Sequence, residues 1–500
     1  MDKTKYGLLL NNSLWGSGSF VFISLISFLI LPFIIKKLSI EGYGIYILIT
    51  SLVGFYGILD LGLGSALIKY VAELHEKNEI ERLNLYINNT VIFQGLIGLL
   101  SSIAILFFSK NILYLLNVGK ENIKDATYAL NLCAIGFFFT FIGGAYRSVL
   151  QGLQLYKSTS IIDSVLNLAL NTFVAVVLFM GFGLVGCIVI NVIVAFMSFI
   201  GYYILVKKNI SSYVISFFIN FKILKEIISF SFYIFLSRIS GIFSTYIVRF
   251  VISFFLGPAA VTYYIVPSKL VGALGGITGG GISVIFPFSS QLGAGNNSDE
   301  IKNLFLKSSR ILTAITFPMI VFISLFSEQI LTIWVGVAFA RQAWLVLSVI
   351  SFSAFIGGMS TIPNLIILGQ GNSKLIGVFS FLTIVLYIIF LPILTKLFGI
   401  IGTSFALLIT NLAVIYYVIF KTTEYNHIKI KEYYNVVLKP HVVVFLMAIL
   451  LYPFAILIKN QQSIMTLSVG AILMILHYIY LIKRKIIPYE NIYNKLFQKA

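Results

Sequence analysis

Apolar residues run along this chain in blocks of about 20, parted by short polar stretches, and none of the blocks alternates as a strand would. Backbone groups in hydrocarbon must pair within their own segment, so such blocks are helices. The pattern predicts a first set of six over residues 11–35, 43–67, 86–108, 126–150, 161–180 and 184–206. A second set of six lies over 227–255, 261–286, 305–326, 343–368, 375–394 and 400–420. A final pair over 442–458 and 464–482 brings the expectation to about fourteen membrane crossings. The fold class is therefore all-α and polytopic.

Sliding the chain against itself by about 217 residues exposes a weak internal repeat. Leu38, Tyr46, Gly54, Gly57 and Gly62 fall on Leu256, Tyr264, Gly272, Gly275 and Gly280. With a shift of one or two residues, Gly152 and Lys157 fall on Gly369 and Lys374. An even helix number per unit makes the two sets parallel. The organisation expected is a six-helix lobe over 1–215, a second over 216–430, and two further helices with a basic tail over 431–500, with a cavity between the lobes as the implied site.

Composition narrows the class. Of 500 residues, 59% are hydrophobic and only 10% charged, where soluble domains carry about 25% charged residues. The net charge of +18 is explained by topology rather than by nucleic acid, because the basic residues are scattered over short loops and no soluble domain presents a basic face. Alternate loops hold roughly 24 Lys and Arg on the side of the N-terminus and about 8 on the other, the positive-inside asymmetry. Both termini are expected in the cytoplasm. The first apolar run, behind Lys3 and Lys5, exceeds the roughly 7 to 15 residues of a signal-peptide core and reads as a retained helix.

Candidate chemistry lies in charges inside apolar runs, each of which costs on the order of 3 kcal/mol at a helix centre. Arg238 and Lys269 lie near mid-depth of the seventh and eighth helices. Arg249 comes eleven residues after Arg238, about three α-helical turns, which would align the two arginines on one face. Arginine offers phosphate a bidentate fork and lysine a point charge, so a cationic stripe of Arg238, Lys269 and Arg249 fits an anionic or pyrophosphate-bearing substrate. Arg249, close to its helix end, fits a side chain snorkelling to the interface equally well.

Asp60, Arg147 and Asp163 lie toward the cytoplasmic ends of the second, fourth and fifth helices, where opposite charges can pair. Asp60 and Asp163 are candidates for a coupling proton or sodium ion, with a structural salt bridge as the plainer alternative and Arg147 as a supporting charge. No other cofactor is implied. His75, His427, His441 and His477 are isolated, Cys133 and Cys187 sit in apolar stretches, and there is neither a Walker A motif nor a metal-ligand spacing. The expectation is a non-enzymatic membrane protein without catalytic or metal residues.

Several local stretches resemble a known family. They are Leu38-Ser-Ile-Glu-Gly-Tyr-Gly-Ile-Tyr46, Leu59-Asp-Leu-Gly-Leu-Gly-Ser-Ala-Leu-Ile-Lys-Tyr-Val-Ala-Glu73, Val149-Leu-Gln-Gly-Leu-Gln-Leu-Tyr-Lys157 and Leu256-Gly-Pro-Ala-Ala-Val-Thr-Tyr-Tyr264. They are similar to segments of bacterial polysaccharide repeat-unit flippases, of the O-antigen and capsule type, in the multidrug, oligosaccharidyl-lipid and polysaccharide exporter superfamily. The resemblance implies a fold of two six-helix lobes plus two helices in the bacterial inner membrane. It also implies an undecaprenyl-pyrophosphate-linked oligosaccharide as substrate, moved from the cytoplasmic to the outer leaflet for O antigen, capsule or another surface glycan. Membrane lipids and the glycan polymerase machinery are the other implied partners. The first helix lacks the Arg–Asp pair expected of peptidoglycan-precursor flippases and the carboxylate expected of drug/cation antiporters. A multidrug antiporter, a glycan polymerase and a scaffold for the glycan machinery are the alternatives.

Overall fold

The computed structural model describes residues 3–54, 56–282, 285–294, 298–440 and 463–483. All regular structure among the described residues is helical. Two helices are too long to be single crossings. α1 (Lys3–Gly54) has a non-helical residue at Ser39, with φ 68°. In the C-terminal half a 53-residue helix, Ser373–Tyr425, breaks at Gly399, with φ 61°. At 1.5 Å per residue, 53 residues span about 80 Å, against a hydrocarbon core of about 30 Å, so each break joins two crossings. The left-handed φ at Gly399 is one that glycine adopts without the penalty a Cβ brings.

After α1 come α2 (Tyr56–Leu59), α3 (Leu63–Glu76), α4 (Ile80–Leu115), α5 (Ile123–Gly152), α6 (Tyr156–Phe179) and α7 (Gly183–Asn209). The single helix expected over 43–67 is thus broken at residues 60–62, where Leu61 and Gly62 take positive φ. α8 (Phe221–Ile242) runs through a π-helical turn (Phe243–Ile247) into α9 (Val248–Leu256). That turn falls inside the helix expected over 227–255. A π turn inserts one residue into the α-helical register, which rotates the succeeding residues by about 100°. Positions 238 and 249, expected on one face, are therefore out of line.

The rest comprises α10 (Pro258–Ile282), α11 (Ile285–Ala294), α12 (Ser298–Leu325), α13 (Ser327–Trp334), α14 (Val337–Gly358), α15 (Thr361–Gly369), α16 (Ser373–Tyr425), α17 (Ile430–Tyr433) and α18 (Ser463–Lys483). The break between α14 and α15 arises from Pro363, which has no N–H to donate to the carbonyl four residues earlier, at Met359. Eight described helical segments are long and apolar enough to cross a membrane, two of them holding the breaks at Ser39 and Gly399, and shorter apolar helices accompany them. The helix expected over 442–458 and the basic tail beyond Lys483 lie outside the described residues.

By packing, the chain divides into two compact units, Met1–Thr262 and Tyr263–Ala500. This is a different division from the repeat lobes, because α8 packs against α2, α3 and α4 and joins the first unit. In the first unit α5 lies along α4 and α7, and α6 lies against α1 and α7. Its core at one end joins Leu67, Val71, Leu83, Tyr86, Val149, Val206 and Ile227. In the second unit α16 packs on α14 and α15, α12 lies against α14 and α18, and Phe305, Ile366, Tyr433 and Val437 share a core.

Candidate functional site

The interior of the first unit is polar where three helices meet. Asp60 sits at the break between α2 and α3 and is 8% exposed. Its carboxylate accepts from the backbone N–H of Gly64 at 3.2 Å and from the Nε2 of Gln94 on α4. Breaking the helix here frees backbone donors that the carboxylate can take up. Gly144 lets α5 approach this turn, since a Cβ there would lie 2.0 Å from the Tyr56 hydroxyl.

One turn further along α5, Arg147 meets Asp163 of α6, its Nη2 and Nε donating to Oδ2 at 2.8 and 3.3 Å. The Tyr202 hydroxyl of α7 donates to the other carboxylate oxygen. One carboxylate thereby joins three helices. The pair is half-exposed, with Arg147 at 43% and Asp163 at 31%, so it is not sealed from its surroundings. The expected pairing of opposite charges is realised by Arg147 and Asp163, while Asp60 is held by Gln94 and backbone. A coupling cation at Asp163 would have to compete with the Arg147 guanidinium.

Arg249 lies on α9 of the first unit. Its Nη1 donates to the Ser51 hydroxyl of α1 at 2.7 Å, and its guanidinium stands 5.1 Å from the Tyr246 ring centre, a cation–π distance. Lys269 belongs to the second unit, exposed on α10 two residues after Pro267. Arg238 lies on α8, and its side chain is outside what the structure describes.

The second unit holds a cavity of about 390 Å³ with walls from α10, α12, α14 and α15, including Val271, Leu312, Met319, Phe355 and Met359. None of its lining residues is ionisable, and two of its threonines spend their hydroxyls on their own helix, Thr313 on the Ser309 carbonyl and Thr316 on that of Leu312. The space is apolar in effect.

Sequence reasoning missed Gln94 and Tyr202, the partners that decide what Asp60 and Asp163 can do. A glutamine buried in an apolar run was the available signal, because an amide in hydrocarbon needs a partner. It also missed Arg310 on α12, whose Nε is buried without a hydrogen-bond partner among the described residues. No group of three His, Cys, Asp or Glu side chains that could hold a metal occurs among the described residues.

The succession of long apolar helices, two of them broken at a single residue, defines a multi-pass membrane protein. Its fold is that of the transporters of the MOP superfamily. A lipid II flippase MurJ in an inward closed conformation superimposes with a TM-score of 0.76 at 15% identity, over 97% of this chain and all of that one. An inward-facing multidrug resistance MATE family transporter gives 0.66, over 81% of this chain and 98% of its own. The chain belongs to the polysaccharide biosynthesis protein family, which it matches over residues 9–293. It is 25% identical over 400 residues, 79% of this chain and 93% of the relative, to a Shigella flexneri protein named "Putative O-antigen transporter". A shorter stretch of 131 residues, 26% of each chain, is 24% identical to the uncharacterized membrane protein EpsK of Bacillus subtilis (strain 168).

Proposed function

We propose that this protein is a flippase that carries undecaprenyl-pyrophosphate-linked oligosaccharide repeat units from the cytoplasmic to the outer leaflet of the bacterial inner membrane. The observation that carries the reading is the likeness to the Shigella flexneri relative over nearly its whole length. Membership of the polysaccharide biosynthesis family and a fold shared with a lipid II flippase support it. The protein acts as a transporter rather than an enzyme, with both termini in the cytoplasm as the basic loops indicate.

Transport proceeds by alternating access of the two repeat lobes, 1–215 and 216–430, with 431–500 as an addition. Arg238, Lys269 and Arg249 meet the pyrophosphate. Arg249 can do so by leaving Ser51 and Tyr246, the side chains that now hold it. A proton or sodium gradient drives the cycle through Asp60 or Asp163. Of the two, Asp163 is the one whose carboxylate is half open to its surroundings.

The test is deletion of the gene and then assay of lipid-linked repeat units in the two leaflets. Accumulation on the cytoplasmic side is expected, and unimpaired arrival on the outer side would overturn the assignment. In the complemented strain, Arg238→Gln with Lys269→Gln should impair export at unchanged membrane level. Normal export would remove the cationic site while leaving the flippase reading standing.

A further inference from the structure

The connector between α7 and α8, residues 210–220, has no regular structure and yet is fixed in place. Three asparagines on one face of α4 hold its backbone. Asn84 Nδ2 donates to the Ser212 carbonyl at 2.9 Å, Asn88 Nδ2 donates to that of Val214 at 2.9 Å, and Asn89 Oδ1 accepts from the Asn220 N–H at 2.7 Å. Tyr213 turns inward, its hydroxyl donating to Asn88 Oδ1 at 3.0 Å and lying 3.2 Å from that of Tyr146. Burial raises the Tyr213 pKa well above the ordinary phenol value, so the hydroxyl stays protonated as a donor.

Ile210 is buried along with Tyr213, whereas the phenylalanines face outward. Phe217 is 86% exposed, Phe218 68% and Phe221 78%, with Val214 beside them. Phe217 and Phe218 lie in the connector, outside the long apolar helices found among the described residues, and Phe221 is the first residue of α8, so lipid contact along a span does not account for the two connector rings. Exposed lysines bracket the patch, Lys207 and Lys208 at the end of α7, Lys222 and Lys225 in the first turns of α8. Rings that prefer the headgroup boundary, rimmed by cations, complement an anionic bilayer surface.

We propose that this connector is an interfacial anchor that inserts Phe217, Phe218 and Phe221 among the headgroups of anionic phospholipids, with the four lysines on their phosphates. The asparagine clamp keeps the aromatic side chains presented, so little ordering entropy is lost on insertion. The anchor does not depend on what the protein carries.

The experiment uses the full-length protein in liposomes. Phe217→Cys carries an environment-sensitive fluorophore, in a background with Cys133→Ala and Cys187→Ala. In vesicles containing phosphatidylglycerol, blue-shifted emission and strong quenching by a lipid spin-labelled near its headgroup are expected. Replacing Lys222 and Lys225 by Gln should weaken phosphatidylglycerol binding, read by native mass spectrometry, by about fivefold per lysine. Water-like emission in vesicles overturns the proposal, as does equal quenching in purely zwitterionic vesicles or unchanged lipid binding by the Gln variants. Protection of the cysteine in cells together with water-like emission in vesicles would assign the patch to a protein partner and equally overturn it.

Discussion

The first unit places charge in its interior and the second places empty apolar space. Asp60 and the Arg147–Asp163–Tyr202 cluster tie helices of the first unit together through charge-assisted hydrogen bonds. The 390 Å³ cavity of the second unit is lined mostly by hydrocarbon, and the hydroxyls of Thr313 and Thr316 in its wall are already engaged on their own helix. The two units thus solve helix packing differently. Where specificity of contact is required, polar groups supply it at a cost in desolvation; where helices must give way, an unfilled apolar space has no bonds to break.

The contrast can be broken most severely at Gln94. Gln94→Leu removes a donor from a buried carboxylate and should cost about 2 kcal/mol, seen as a lower midpoint of unfolding in detergent. Asp163→Ala comes next at about 1.5 kcal/mol, reduced from the value of a sealed pair because both partners are partly exposed. A double-mutant cycle with Arg147→Met sharpens this, and a coupling energy near zero would show that the two side chains act independently.

In the second unit the sign reverses. Gly358 lines the cavity with nothing within 4 Å of a built Cβ, so Gly358→Ala should leave packing intact and stabilise the unit by about 0.5 kcal/mol through helix propensity. A destabilised Gly358→Ala variant in the same unfolding assay would contradict the open space.

The smallest effect belongs to the exposed pair of Glu73 and Lys77, 2.7 Å apart. Hydrogen bonding to Lys77 lowers the Glu73 pKa, and the matching bond raises that of Lys77. The stability Glu73 contributes is present above its unfolded pKa and is lost as pH falls through the lower folded value. Glu73→Gln should therefore lower stability slightly at neutral pH, flatten the acid side of the profile, and leave stability unchanged once pH is below the folded pKa. A large loss at neutral pH would mean the pair supports more than its own turn.

The long helices were legible because length and apolarity are local properties. α4, α5 and α7 fall where the runs at 86–108, 126–150 and 184–206 put them, α5 and α7 extended by a few residues and α4 by nearly two turns at each end. The breaks were not. The turn at Asp60–Gly62 and the π turn at Phe243–Ile247 leave no mark in hydropathy, and the second undid the α-helical register assumed for positions 238 and 249. At the candidate site, Asp60, Arg147 and Asp163 were visible as charges out of place. Their settings were not, because Gln94 lies 34 residues from Asp60 and Tyr202 lies 39 from Asp163. Those distances in sequence become contacts only when helices pack.

The asparagine clamp on α4 has a consequence for biogenesis. Asn88 and the Val214 carbonyl it holds are 126 residues apart in the chain. At about 5–20 residues per second, the donor is synthesised roughly 6–25 s before its acceptor. Until then three asparagine side chains on α4 wait for a segment that arrives only after α5, α6 and α7 have been made. Closing the clamp is therefore a late event in the assembly of the first unit, and it can occur only if the intervening helices have brought residues 212–220 back to α4.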